Sequence, residues 1–378
     1  MTTAPASFPL ASVKIDKAFH RIPQLDALRG FLLVWMTLTH LPTRVSPYSN
    51  QVLGYVSAAE GFILLAAILV ARIQRDVAEK YGIPAARKKI WQRVLRIYTY
   101  HLALLAFAFT FCAAAATHWH RVPLQNLLDF YLQAPKQALL AAPALLYNPP
   151  LLDILPMYVH FMLLTPLLMR SAERWGWRPV LLVSGSIWLL AQFHLREGIY
   201  ALAAHLGFSI PLREMGAFDP FGWQFLWTAG LYLGSARAAS FSNARLPRWL
   251  LLLSATLAAV LFLCRHANFE LVTGPLIFDA LVNKWRLGVF RLIDAAALGV
   301  LLVRFGSPAA ETQIGRRLAV LGRASLEVFS THLVFCLIFL GLASGSDPIF
   351  APRQDPIIII VTITGLFLVA KFTARPAN

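Results

Sequence analysis

The residues best placed to do chemistry lie in one apolar segment, QLDALRGFLLVWMTLTHL, where Asp26, Arg29 and His40 share a face. Arg29 and His40 are eleven residues apart, three helical turns, which sets them in line with about 16 Å of helix axis between them. A guanidinium makes bidentate hydrogen bonds to phosphate oxygens, and an imidazole can take a proton from a hydroxyl. An extended anionic thioester lying along this face would meet a phosphate anchor toward one end and a general base toward the other. The plainer alternative is an Asp26–Arg29 pair, one turn apart, that neutralises itself, with His40 at an interface. Ionisable groups inside so apolar a segment are costly, which makes a use for them the first question.

Other ionisable residues recur in apolar surroundings. Glu60, in VSAAEGFILLAAILV, falls at a depth similar to His40. It can orient that imidazole and stabilise its protonated form, or it can pair with Arg291. Ser57, Ala58, Ala59 and Gly61 around it permit close helix approach. Asp153 and His160 are seven residues apart in LDILPMYVHFMLLTP and so share a face with Tyr158 nearby, while Pro156 and Pro166 would free backbone carbonyls toward a cavity. Arg291 and Asp294 are one turn apart and most simply a mutual pair. His332, in LGRASLEVFSTHLVF with Glu327, suits an interhelical hydrogen bond at least as well as catalysis. In FDPFGWQFLWTAGLYLG, Asp219 and Gln224 are candidates for sugar contact, whereas Phe225 and Trp227 read as interface anchors. There is no Gly-x-Ser-x-Gly elbow, P-loop, His-Glu-x-x-His or dinucleotide fingerprint to start a different chemistry.

The elements that must position these groups are set by composition. Of 378 residues, 58% are hydrophobic and 14% charged, with mean hydropathy +0.62, which is too apolar for a soluble domain. Apolar stretches of helix-spanning length without strand-like alternation predict an all-α polytopic membrane bundle. Ten spans are expected, near 24–43, 52–72, 91–116, 151–169, 179–195, 220–237, 247–264, 287–304, 319–341 and 356–374. Residues 1–23 read as a polar cytoplasmic tail without a signal-peptide core, and 24–375 as one integral domain. With both termini cytoplasmic, 23 of the 34 Lys and Arg residues fall on the cytoplasmic side and nine on the other, the bias the positive-inside rule requires. The net charge of +16 therefore belongs to the flanks of spans and does not indicate nucleic acid. Cys112, Cys264 and Cys336 sit singly in apolar runs, so neither a disulfide framework nor a metal site is expected. The longer external connections, about 117–150, 196–219 and 265–286, could roof a site.

Taken in order, QLDALRGFLLVWMTLTH, SAAEGF, LDILPMYVHFMLLTPLL, FDPFGWQFLWTAGLYLG, NKWRLGVFRLIDAAALG and LGRASLEVFSTHLVF resemble the OpgC family, a branch of membrane acyltransferases similar to the acyltransferase-3 type. The Arg-x10-His spacing of Arg29 and His40 matches the latter. The resemblance implies a bacterial inner-membrane O-acyltransferase that takes an acyl group from cytoplasmic acyl-CoA, succinyl-CoA or acetyl-CoA, and passes it to a hydroxyl of a periplasmic glucan. It carries the catalytic expectation onto Arg29 and His40 and sets Asp26, Glu60, Asp153, Trp223, Gln224 and His332 in family motif blocks without individual roles. With the residue reading above, His40 is expected as the base with Glu60 in support, Arg29 and Asp26 at the donor, and Asp153, His160, Asp219, Trp223, Gln224, Arg291 and His332 as substrate contacts. Lipid and glycan are then the expected partners, and no metal is expected. Two other classes fit the same residues: a carrier of an anionic solute using Arg29, Arg291 and the histidines, and a non-catalytic relative, consistent with the wholly apolar run after Glu60.

Overall fold

The computed structural model describes residues 22–236, 246–267, 275–343 and 349–373, and the regular structure within them is helical. Residues 1–21 of the expected tail lie outside the described residues. The main helices are α1 (Pro23–His40), α2 (Ala58–Tyr81), α3 (Ile83–Phe107), α4 (Ile154–Trp175), α5 (Trp177–Gln192), α6 (Leu195–His205), α7 (Pro220–Ser235), α8 (Arg248–His266), α9 (Pro275–Val282), α10 (Val289–Glu311), α11 (Gln313–Arg323), α12 (Ser325–Leu342) and α13 (Asp355–Thr373).

Among the described residues, five helical runs are long and apolar enough to cross a membrane: α3 with its continuation to His118, α4, α8, α12 and α13. They mark a membrane protein. The other five expected spans are helices as well, but α5 and α7 have 16 residues each, and α1, α2 and α10 bear ionisable side chains along their length. Their charges are largely matched inside the protein, as the site below shows.

Local sequence explains the turns. Gly82 and Gly176 adopt φ of 83° and 81°, in the left-handed region where a side chain would be strained, so α2 reverses into α3 and α4 into α5 with only the glycine between them. Pro84 and Pro179 follow in the first turn of the next helix, where no N–H is needed. One expected span departs from its continuous form. The apolar run 319–341 breaks at Ala324 (φ −105°, ψ 37°) into α11 and α12. The reason is packing on α1: a Cβ at Gly322 would run into the Asp26 carbonyl, and one at Gly30 into the Leu318 carbonyl, so α1 and α11 approach backbone to backbone.

Small residues fix a second close contact, because Gly230 and Gly234 of α7 face the Leu64 and Ile68 carbonyls of α2. Around these pairs α1 also packs on α12, α3 on α4, and α5 on α7. The core so enclosed includes Leu33, Ile63, Phe161, Trp223, Trp227 and Phe329, each almost fully buried. The connection between α3 and α4 folds back through short helices, and its Leu124, Leu128 and Tyr147 are buried as well. It closes part of the end at which α1 terminates in His40.

Candidate functional site

His40, the last residue of α1, meets His332 in the middle of α12. Their rings are stacked 5.6 Å apart at 17°, with His40 Nδ1 3.3 Å from His332 Nε2. His332 is fully buried, with the Phe329 ring set edge-on to it at 4.9 Å and Phe62 of α2 stacked behind Phe329 at 5.7 Å. His40 is only half buried. One imidazole is thus locked in the core and holds the other at its edge, which orients the His40 ring and leaves its Nε2 side for chemistry.

Of the two roles expected of Glu60, the structure shows the pair with Arg291 and not a hold on His40. Both oxygens of Glu60 are taken: Oε1 accepts from Arg291 Nε at 2.6 Å and from Arg291 Nη2, and Oε2 accepts from the Ser57 hydroxyl at 2.6 Å and the Ser57 N–H at 2.9 Å. The second set closes a capping box at the start of α2. Glu60 and Arg291 are 1% and 0% exposed, so Arg291 faces no substrate space either. Nor does Arg291 pair with Asp294 one turn on. Asp294 Oδ2 instead accepts the N–H groups of Tyr55 and Val56 at 2.7 and 3.1 Å and ties α10 to the chain entering α2. Local spacing suggests the i,i+3 pair, but each group takes a long-range partner instead, leaving Arg291 Nη1 and Asp294 Oδ1 without one among the described residues.

The expected acceptor contacts separate into braces and one outlier. Trp223 is fully buried, and its indole N–H donates to the carbonyls of Lys284 and Trp285 at 3.2 and 3.1 Å, so it offers no face for a sugar. Gln224 exchanges hydrogen bonds with Ser184 of α5 at 2.6 and 2.8 Å. Asp219 caps α7 through the Phe221 N–H at 2.8 Å, is 2% exposed, and keeps one oxygen without a partner. Asp153 precedes α4 and accepts the Ala217 N–H at 3.1 Å; burial pushes its carboxyl up to about 6. His160, expected on the face of Asp153, is exposed on the outside of the bundle because Asp153 stands ahead of the helix and not within its wheel.

At the other end of α1, Arg29 has neither hydrogen bond nor ion pair among the described residues, with Asp26, Tyr158, Glu327 and Arg93 within electrostatic reach. Glu327 of α12 is ion-paired with Arg96 of α3. His40 thus meets α12 directly, while Arg29 lies within electrostatic reach of α3, α4 and α12. One turn along α3 from Arg93, Ile90 lines a cavity of about 370 Å³ between α2, α3 and α4, which also presents Arg75, Arg87 and Arg170.

Counting charges in the chain places Lys284 among ordinary cations flanking a span. In the structure it is half buried, and its charge acts on His40, Glu60, Arg291 and Asp153. Burial holds its ammonium below the usual lysine range. The signal in the sequence is its setting, an Asn-Lys-Trp-Arg-Leu-Gly turn, not its type.

A family model described as OpgC protein matches residues 21–377. No curated protein and no solved structure matches the chain.

Proposed function

The chain belongs to the OpgC family, which carries a glucan-modifying acyltransferase kind of function, and on that premise we propose that it is an O-acyltransferase of the bacterial inner membrane. It takes an acyl group, succinyl in our reading, from cytoplasmic acyl-CoA and esterifies a hydroxyl of a periplasmic glucan. The observation that carries this reading is the His40–His332 pair standing on the same helix as Arg29, which has no hydrogen bond or ion pair among the described residues.

The chemistry follows from the tautomers. When His40 Nδ1–H donates to His332 Nε2, the lone pair of His40 Nε2 is free, and the proton of His332 resides on Nδ1. His40 Nε2 then accepts the proton of the sugar hydroxyl as its oxygen attacks the thioester carbonyl. The C–S bond breaks, the ester forms, and the imidazolium returns the proton to the leaving CoA thiolate. Arg29 holds donor phosphate, and the cavity lined by Arg75, Arg87 and Arg170 together with Glu79 and Glu173 lies on the same side, the one rich in basic residues. Glu60 acts through the frame: by fixing Arg291 it joins α2 to α10 beneath the His pair.

The test is mass spectrometry of periplasmic glycans from cells expressing the wild type or His40→Ala at equal protein level. Wild type adds an acyl mass increment, 100 Da class for succinyl by its formula being about that size against about 42 for acetyl, and loss of the base lowers transfer by about 10²–10⁴-fold. Acyl transfer retained by His40→Ala overturns the assignment.

A further inference from the structure

The turn between α9 and α10 is held with more care than a loop needs. Four consecutive carbonyls accept hydrogen bonds from α5 and α7: those of Lys284 and Trp285 from Trp223 Nε1, that of Arg286 from Gln192 Nε2 at 2.9 Å, and that of Leu287 from Trp188 Nε1 at 2.9 Å. The Asp219 N–H adds a bond to the Trp285 carbonyl at 2.8 Å. Inside the turn, Asn283 Oδ1 accepts from the N–H groups of Trp285 and Arg286 at 2.9 and 3.0 Å, and Leu287 takes a left-handed φ of 58°. Gly222 of α7 leaves room for the Arg286 carbonyl, where a Cβ would collide.

Each side chain of this turn but one has a structural task. Asn283 closes the turn, Trp285 packs on Phe218 at 5.4 Å, Arg286 binds Glu197 at 2.8 Å, and Leu287 is buried. Lys284 alone has no hydrogen bond or ion pair among the described residues; its ammonium rests 5.2 Å from the ring of its neighbour Trp285. The carboxylates in its range are engaged, Glu60 by Arg291 and Ser57, and Asp153 by the Ala217 N–H. A half-buried cation on a braced turn, whose charge acts on the proposed base and which lacks an anion of its own among the described residues, is a site for an anion brought by substrate.

We infer that Lys284 determines donor specificity by pairing with the free carboxylate of a dicarboxylic acyl group while His40 acts at the thioester carbonyl. This rests on the acyl-transfer reading and adds to it which residue distinguishes an acidic acyl group from a neutral one. A four-carbon diacid carries its second carboxylate two methylenes from the reacting carbonyl, on the side of His40 opposite the departing CoA.

Membranes containing the full-length protein are supplied with glucan acceptor and either succinyl-CoA or butyryl-CoA, which has the same chain length without the carboxylate. Wild type is expected to favour succinyl, and Lys284→Met to lower the succinyl-to-butyryl ratio of kcat/KM by about 10- to 100-fold, the range of a charge-assisted hydrogen bond. Lys284→Arg should restore much of the ratio. An equal fall with both donors, or an unchanged ratio, overturns the role of Lys284 and leaves acyl transfer standing. If wild type transfers neither group, both readings fall.

Discussion

At the scale of single residues, the decisive distinction is between charges that are spent and charges that are held ready. Glu60 and Arg291 are spent: they neutralise one another in the core, with the second oxygen of Glu60 bound to Ser57. His40 and Lys284 are held ready, half buried and without a carboxylate partner among the described residues. The two kinds should fail differently. Glu60→Gln leaves a buried guanidinium uncompensated, which costs about 3–5 kcal/mol, whereas replacing both partners by apolar residues of similar size is close to neutral. We therefore expect Glu60→Gln to lose thermal stability in detergent and Glu60→Met/Arg291→Leu to regain most of it, as followed by unfolding of the purified protein. A Glu60→Gln protein as stable as wild type but inactive would return Glu60 to the catalytic role its depth beside His40 suggested.

At the scale of elements, α1 is placed by its glycine contact with α11 and its histidine contact with α12. Adding a methyl at Gly30 pushes the helix away from the Leu318 carbonyl, a backbone atom that cannot rotate aside. Gly30→Ala is expected to destabilise by about 1–3 kcal/mol, the usual cost of overpacking. It should also reduce acyl transfer, because Arg29 adjoins the displaced contact and His40 ends the same helix. Gly299→Ala serves as the control: nothing lies within 4 Å of its Cβ, and replacing a helical glycine there should raise stability by about 0.5–1 kcal/mol. Equal effects at the two positions in thermal unfolding would show that α1 and α11 do not touch as described. Helices such as α1, α4 and α13 were legible from apolar run length, their observed limits falling within several residues of 24–43, 151–169 and 356–374. The break at Ala324 was not, because its cause is the backbone of α1 and not any helix-breaking residue in the apolar run. The candidate site was legible to the same extent: the shared helix of Arg29 and His40 follows from their spacing, and the Glu60–Arg291 pair was one of the two roles read for Glu60, while the setting of Lys284 arises from contacts between distant segments that no local pattern records.

At the scale of the whole molecule, function depends on which end of the bundle meets which compartment. Successive long helices run in alternating directions, so the end of α1 at His40 shares its side with the starts of α2, α4, α7, α10 and α13, and Lys284 and Asp153 lie there too. The Arg29 end holds the reversal from α2 into α3 and the arginine-lined cavity. From the bias of basic residues, 23 against nine, we propose that this second end faces the cytoplasm and His40 the periplasm. This arrangement gives the donor's phosphates and the acceptor's hydroxyl opposite approaches to one reacting centre. Cysteine labelling checks it directly. Cys112 and Cys336 are buried, so only Cys264 need be replaced before introducing Lys136→Cys in the connection after α3 or Arg317→Cys in α11, both exposed positions. A membrane-impermeant maleimide should label the cysteine at 136 in intact spheroplasts and the one at 317 only after the membrane is opened. The reverse pattern would put His40 and Lys284 on the donor's side, where a periplasmic sugar cannot reach them, and would exclude transfer to the glucan by this route whatever the chemistry of the histidine pair.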